Sequence, residues 1–351
     1  MSGSLWKIFT DEAVDVRGKI IGIYVVLIGA NVLAWAWALV AFRDHPVLLG
    51  TALLAYTFGL RHAVDADHVA AIDNVTRKLM QEGKRPSTVG FFFSLGHSTV
   101  VVIASLLIAV ATTTLGKFSA FKSVGGIIST SVSAFFLFAV ALVNVVILLS
   151  VYRTFIRVKH GGAFVEADLD MLLNQRGVLG RFFRPLFQLI RQSWHMYPLG
   201  FLFGLGFDTA TEVGLLGISA AEASHGLSVW SILVFPALFT AGMSLVDTTD
   251  GILMIGAYGW AFVKPIRKLY YNMTITFVSV IIALLIGGVE VLGLVAGKLQ
   301  LEGAFWSFIA ALNGNFGALG YVIIGIFALS WLVSAVIYRI KGYDRIEVRT
   351  A

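Results

Sequence analysis

The chain has 351 residues, 58% of them hydrophobic and only 13% charged, with a mean hydropathy of +0.86. That composition excludes an ordinary soluble domain and specifies an all-α, polytopic membrane protein. With no cysteine there are no disulfides and no thiolate metal sites, which counts against soft-metal chemistry such as copper(I) handling through cysteine.

A helix crossing the ~30 Å hydrocarbon core needs about 20 apolar residues. Eight such segments are predicted, at about 20–42, 47–74, 87–111, 127–151, 198–222, 229–262, 269–296 and 316–339. They make residues 1–351 a single transmembrane domain. The start of the chain carries Asp11, Glu12 and Asp15, unlike the basic end of a signal peptide. The long loop, 152–197, interleaves Arg181, Arg184 and Arg191 with Phe182, Phe183, Phe187, Ile190 and Trp194. That pattern reads as a helix lying on the anionic inner leaflet, so the lipid bilayer is an expected partner.

Lys and Arg set the orientation. With the N-terminus in the cytoplasm, the loops and span ends on that side hold 21 of the 26 basic residues. The outer loops hold Arg43, Lys117, Lys122 and Lys298, and Arg61 falls within a span. The bias places both termini and the long loop in the cytoplasm. It also explains the net charge of +6 without nucleic acid as a partner.

The second span carries the sequence RHAVDADHVAAID, Arg61 to Asp73. As a continuous helix it places His62, Asp65 and His68 in one sector roughly 120° wide. Asp67 then points elsewhere, so it finds a neighbouring helix or the helix is distorted. Each charge at mid-membrane costs about 2.5–3.5 kcal/mol on insertion scales. Polar groups recur in GHST around His97, in LGFDTATE with Asp208 and Glu212, and in AGMSLVDTTDG with Asp247 and Asp250. Asn31 lies in the first span and Glu290 in the seventh. Counted from the cytoplasmic ends, Asp65, His97, Asp208 and Asp250 fall roughly 14–18 Å deep, in one layer near the midplane, with Asp247 slightly deeper. Asp65, Asp67, Asp73, Asp208, Glu212, Asp247, Asp250 and Glu290 face Arg61 as the only permanent cation there. Either several carboxylates are protonated, or a cation is bound, or both.

A repeat is visible in the same motifs. Phe58-Gly59-Leu60 matches Phe203-Gly204-Leu205, and Phe93-Ser94-Leu95-Gly96 matches Phe239-Thr240-Ala241-Gly242. An offset of three spans makes the copies opposite in sense, the plan of an inverted-repeat transporter with a midplane site.

Imidazole nitrogen with a few carboxylate oxygens suits Ni(II), Co(II), Zn(II) or Fe(II), not Mg(II) or Ca(II). The metal candidates are His62, Asp65, Asp67, His68 and His97. Asp208, Glu212, Asp247 and Asp250 are left to complete the shell, orient the histidines or accept protons. Interhelical hydrogen bonds and ion pairs alone would account for an isolated Asn31 or Glu290, but not for the whole cluster. The chain lacks G-x4-G-K-[ST], so no ATP hydrolysis, cofactor or ATPase subunit is expected.

RHAVDADH, LGHSTVV, LGFDTATE and GMSLVDTTDG together resemble the nickel/cobalt transporter (NiCoT) family, above all its high-affinity nickel permeases of the HoxN type. The resemblance covers nearly the whole chain. It implies uptake of Ni(II), and in some members Co(II), across a bacterial cytoplasmic (inner) membrane. It assigns metal handling to His62, Asp67 and His68, and places Asn31 and Val64 to influence selectivity. Two alternatives stand beside it. A nickel/cobalt exporter would often carry a His-rich loop, whereas the loop here has only His160 and His195. An intramembrane metalloenzyme would use a metal-bound water, and the chain has no H-E-x-x-H.

Overall fold

In hydrocarbon each backbone N–H and C=O must be satisfied within its own segment, so apolar runs of this length become helices. The computed structural model describes residues 6–13, 15–110, 115–160, 190–205, 210–261 and 265–343. Its helices are α1 (Val16–Ala41), α2 (Pro46–His62), α3 (Ala66–Gln81), α4 (Val89–Val110), α5 (Leu115–Lys159) and α6 (Met196–Phe203). These are followed by α7 (Ala210–Ser224), α8 (Val229–Ile232), α9 (Val234–Ala261), α10 (Pro265–Leu299), α11 (Ala304–Asn313) and α12 (Phe316–Ile340). Among the described residues the protein is all-helical. Six helical segments are long and apolar enough to cross a membrane, and a seventh crossing results if the bent pair α2–α3 is one span. The protein is therefore multi-pass.

Two predicted spans are divided. The second is not one helix: it stops at His62, turns through Ala63–Asp65 and restarts as α3, with a bend of 51°. The turn is tightened by Val64 N–H to Arg61 O at 3.1 Å and Asp65 N–H to His62 O at 2.9 Å. Asp65, extended at φ −64° and ψ 147°, stands at the N-cap of α3, and its side chain makes no capping bond. The fifth predicted span is divided into α6 and α7, and Asp208 lies outside the described residues. Most of the loop expected on the inner leaflet, 161–189, lies outside them as well. The helix α11 falls where the sequence suggested only a loop.

Glycines set the closest helix crossings. A Cβ on Gly59 (α2) would collide with the backbone of Phe239 (α9), and one on Gly242 would come 2.9 Å from Tyr56 O. A Cβ on Gly200 (α6) would collide with the backbone of Phe93 (α4), and one on Gly96 with that of Tyr197. In each pair one chain number rises as the other falls, so both crossings are antiparallel. Gly90 against Asp247 and Ser94 against Ser244 make α4 and α9 antiparallel too. It follows that α2 and α6 run in opposite senses. The matching contacts equate Tyr56 and Gly59 with Tyr197 and Gly200. This is one turn earlier in α6 than the expected match of Gly59 with Gly204.

Charge placement also differs from expectation. Arg61 is exposed on α2 and does not balance the acidic layer. Arg77, which falls in the predicted loop after the second span, is a buried cation. In α3 its guanidinium donates to Thr276 Oγ1 at 2.9 Å and Asn74 Oδ1 at 2.8 Å, and lies 3.9 Å from Asp73. Asp73 also accepts from Tyr258 and from Ser279, the latter at 2.8 Å. Asn144 of α5 joins the group through Asn74 at 2.7 Å. Lys78, expected in the same loop, is buried and donates to the Ile190 carbonyl.

Candidate metal centre

The break in the second span carries the chemistry. His62 ends α2, Asp65 precedes α3, and His68 lies in the first turns of α3. The last-turn carbonyls of α2 carry partial negative charge, which favours a cation at this point. From α4 comes His97, from the first turn of α7 come Thr211 and Glu212, and from α9 comes Asp247. Each of His62, His68, His97, Asp65, Glu212 and Asp247 is at most 3% exposed, so any ion held here is out of bulk water.

The three imidazoles form a triangle, with ring centroids 4.7 Å apart for His62–His68 and His62–His97 and 4.9 Å for His68–His97. Each offers a nitrogen within 4.8 Å of the others. Nε2 of His62 lies 2.9 Å from Nε2 of His97, which lies 2.9 Å from Oε1 of Glu212. His62 Nε2 to Glu212 Oε1 is 4.0 Å. Such a triangle is nearly right-angled, so the midpoint of its long side lies about 2.0 Å from all three atoms, a first-row metal–imidazole bond length. Right angles at the ion belong to planar or octahedral coordination, not to the tetrahedron of zinc.

In His62 and His68 the other ring nitrogen, Nδ1, faces neighbouring side chains. His62 Nδ1 faces Asp65 Oδ2 at 3.1 Å and Thr211 Oγ1 at 3.2 Å. His68 Nδ1 faces both oxygens of Asp247 at 3.4 Å, and among the described residues its buried Nε2 has no hydrogen-bond partner. A carboxylate on Nδ1 selects the tautomer whose Nε2 carries the free lone pair and raises its basicity. Phe93 packs edge-on to His68 at 4.8 Å and Phe239 lies 5.5 Å from His62. These two phenylalanines belong to the two apolar clusters of the core, so the site sits where those clusters meet.

The structure thus gathers His62, Asp65, His68, His97, Glu212 and Asp247. Asp67 is partly exposed in the first turn of α3, within electrostatic range of His68, Asp65 and His62. Asp250 is one turn beyond Asp247 on α9, and its buried Oδ2 has no hydrogen-bond partner among the described residues. Asn31, which the resemblance placed to influence selectivity, donates to the carbonyls of Leu27 and Ala241 and accepts from Tyr56 OH at 2.9 Å. Val64 has its backbone covered by Gly320 of α12. Glu290 is apart from the site, accepting from Ser133 at 2.7 Å. Thr211, Phe93 and Phe239 were not singled out as site residues. The Phe-x-x-Gly repeat holds the two phenylalanines, and the LGFDTATE motif holds Thr211.

Fold and site define a multi-pass helical membrane protein with a buried nitrogen- and oxygen-donor centre at a broken helix. The chain belongs to the high-affinity nickel-transport protein family, NicO, which it matches over residues 48–337. It is 66% identical to the high-affinity nickel transport protein of Cupriavidus necator, over 95% of each chain. It is 42% identical to the high-affinity nickel-transport protein NixA of Helicobacter pylori, over 88% of this chain and 94% of that one. It is also 41% identical to the cobalt transport protein NhlF of Rhodococcus rhodochrous, over 81% of each. No solved structure matches it.

Proposed function

We propose that this protein is a secondary transporter that takes up Ni(II), and Co(II) with it, across the cytoplasmic membrane of a bacterium. The observation that carries this reading is the convergence of His62, His97 and Glu212 on one point, with His68 presenting a free Nε2 beside them. The ion is cargo. In this reading His62, His97, His68 and Glu212 hold it, while Asp65 and Asp247 orient the imidazoles. Asp67 lies at the partly exposed edge of the site, where the ion sheds or regains water. Asp250 lies on its further path. Names of relatives that include nickel and cobalt transport support the choice of substrate.

The remaining architecture is part of the same proposal. Counting α2–α3 and α6–α7 each as one broken span gives eight crossings, with both termini in the cytoplasm. The equivalent antiparallel crossings of α2 with α9 and of α6 with α4 support an inverted repeat around the site. No ATP is required. A membrane potential supplies ~2.3 kcal/mol per charge per 100 mV, hence about 4.6 kcal/mol for a dication, or about a thousandfold accumulation.

Proteoliposomes containing only this protein test the reading, with potential and pH gradient imposed separately. Expected is nickel accumulation that follows an inside-negative potential without nucleotide, weakly inhibited by zinc because of its tetrahedral preference. Flux that runs only outward, or no metal flux, would overturn it.

A further inference from the structure

The two histidines of the second span are separated by the turn Ala63–Asp65, and the position of that turn decides whether His62 meets His97 and Glu212. Backbone packing holds the turn on two sides. On one side Gly59, one turn before His62, lies against the backbone of Phe239 in α9. On the other side stands Gly320, near the start of α12 and outside all the polar motifs. A Cβ built on Gly320 would collide with the carbonyl oxygen of Val64, the middle residue of the turn. It would stand 2.7 Å from that carbonyl carbon and 3.3 Å from the carbonyl carbon of Asp65. These are backbone atoms, so no rotamer change relieves the overlap. Either the turn or α12 moves.

We propose that Gly320 is a positioning residue for metal selectivity: its missing side chain lets the last helix seat on the Val64 carbonyl and fixes the turn that registers His62 and Asp65 against His97 and Glu212. This rests on reading those residues as the metal site. His97 and Glu212 belong to α4 and α7, so a shifted turn moves His62 relative to them and leaves their own spacing of 2.9 Å intact. The right-angled donor set is then lost first, and selectivity among dications depends on that geometry more than on raw affinity. The effect belongs with changes that disturb ligand orientation without removing a ligand, about ten- to a hundredfold in metal affinity. The same helix supplies an internal control, because a Cβ on Gly325 meets nothing within 4 Å.

The experiment compares full-length Gly320→Ala, Gly325→Ala and His62→Ala in proteoliposomes. Initial nickel and cobalt uptake is measured per inserted protein, together with the ligand-field absorption of nickel bound to the purified chains. For Gly320→Ala we expect the nickel KM to rise about ten- to a hundredfold. We also expect a changed nickel-to-cobalt ratio and displaced absorption bands. Gly325→Ala should match the parent in all three. Wild-type KM, ratio and bands in Gly320→Ala would overturn the proposal. Failure of Gly320→Ala to insert at all would also overturn it, assigning Gly320 to helix assembly alone. If His62→Ala transports normally, the site reading fails. If it is inactive while Gly320→Ala is normal, only the positioning role fails.

Discussion

His62 and His97, from α2 and α4, present their Nε2 atoms to each other at 2.9 Å inside the protein. Two lone-pair positions aimed at one point are costly unless a proton or an ion lies between them. Replacing either histidine by Ala should lower initial nickel uptake at tracer concentration at least about tenfold, with the protein still inserted. His45, His160, His195 and His225 take no part in this group, and their Ala variants should keep most activity. The check is radiolabelled nickel uptake normalised to membrane-inserted protein.

Glu212 separates a metal-binding carboxylate from a hydrogen-bonding one. Glu212→Gln keeps the shape and a polar atom near His97 but removes the anion. Uptake should fall by an order of magnitude or more, about as much as in a histidine variant. Glu222→Gln on the same helix should be near normal. Equal, near-normal uptake in both would remove Glu212 from the ligand set.

On the proposed reading Asp247 and Asp65 act through the imidazoles they face. Asp247→Asn and Asp65→Asn should weaken nickel affinity by about ten- to a hundredfold, chiefly in KM. Kinetic curves over a range of nickel concentration distinguish this from a loss of maximal rate, which the geometry does not predict.

Arg77 and Asp73 are structural on this reading. Both are buried, 3.9 Å apart, and removing one leaves the other without its counter-charge. Arg77→Met should destabilise the protein by about 3–5 kcal/mol, and the double variant Arg77→Met with Asp73→Asn should recover part of that loss. Thermal unfolding of the detergent-solubilised protein measures both. A double variant no more stable than the single one would show that the pair is not coupled.

Topology is testable because the chain has no cysteine. Single cysteines at Glu82 and Glu302 should differ: an impermeant thiol reagent applied to intact cells should label position 302 and spare position 82. The reverse pattern would invert the proposed orientation.

Much of this protein was legible in its sequence because hydrocarbon leaves few choices. Long apolar runs have to be helices there, and His62, Asp65, His68, His97 and Asp247 stand out because polar groups at that depth are costly and rare. What one-dimensional periodicity did not reveal was the break at Ala63–Asp65. A continuous helix places His62 and His68 in one sector, whereas at the actual bend Asp65 turns its side chain to His62 instead of capping α3. Arg77 was read as a loop cation because a buried arginine is acceptable only with partners, and those partners, Asp73 and Asn74 excepted, are distant in the chain: Thr276 directly and Tyr258 and Ser279 through Asp73. That Glu212 stands beside His62 and His97 was hidden for a similar reason. Sequence spacing places a group on a helix face, but only the packing of helices distant in the chain decides which faces meet. Chemical type and depth in the membrane are local properties of the chain. The donor geometry is set by contacts between helices far apart in sequence, and so it appears only in the tertiary structure.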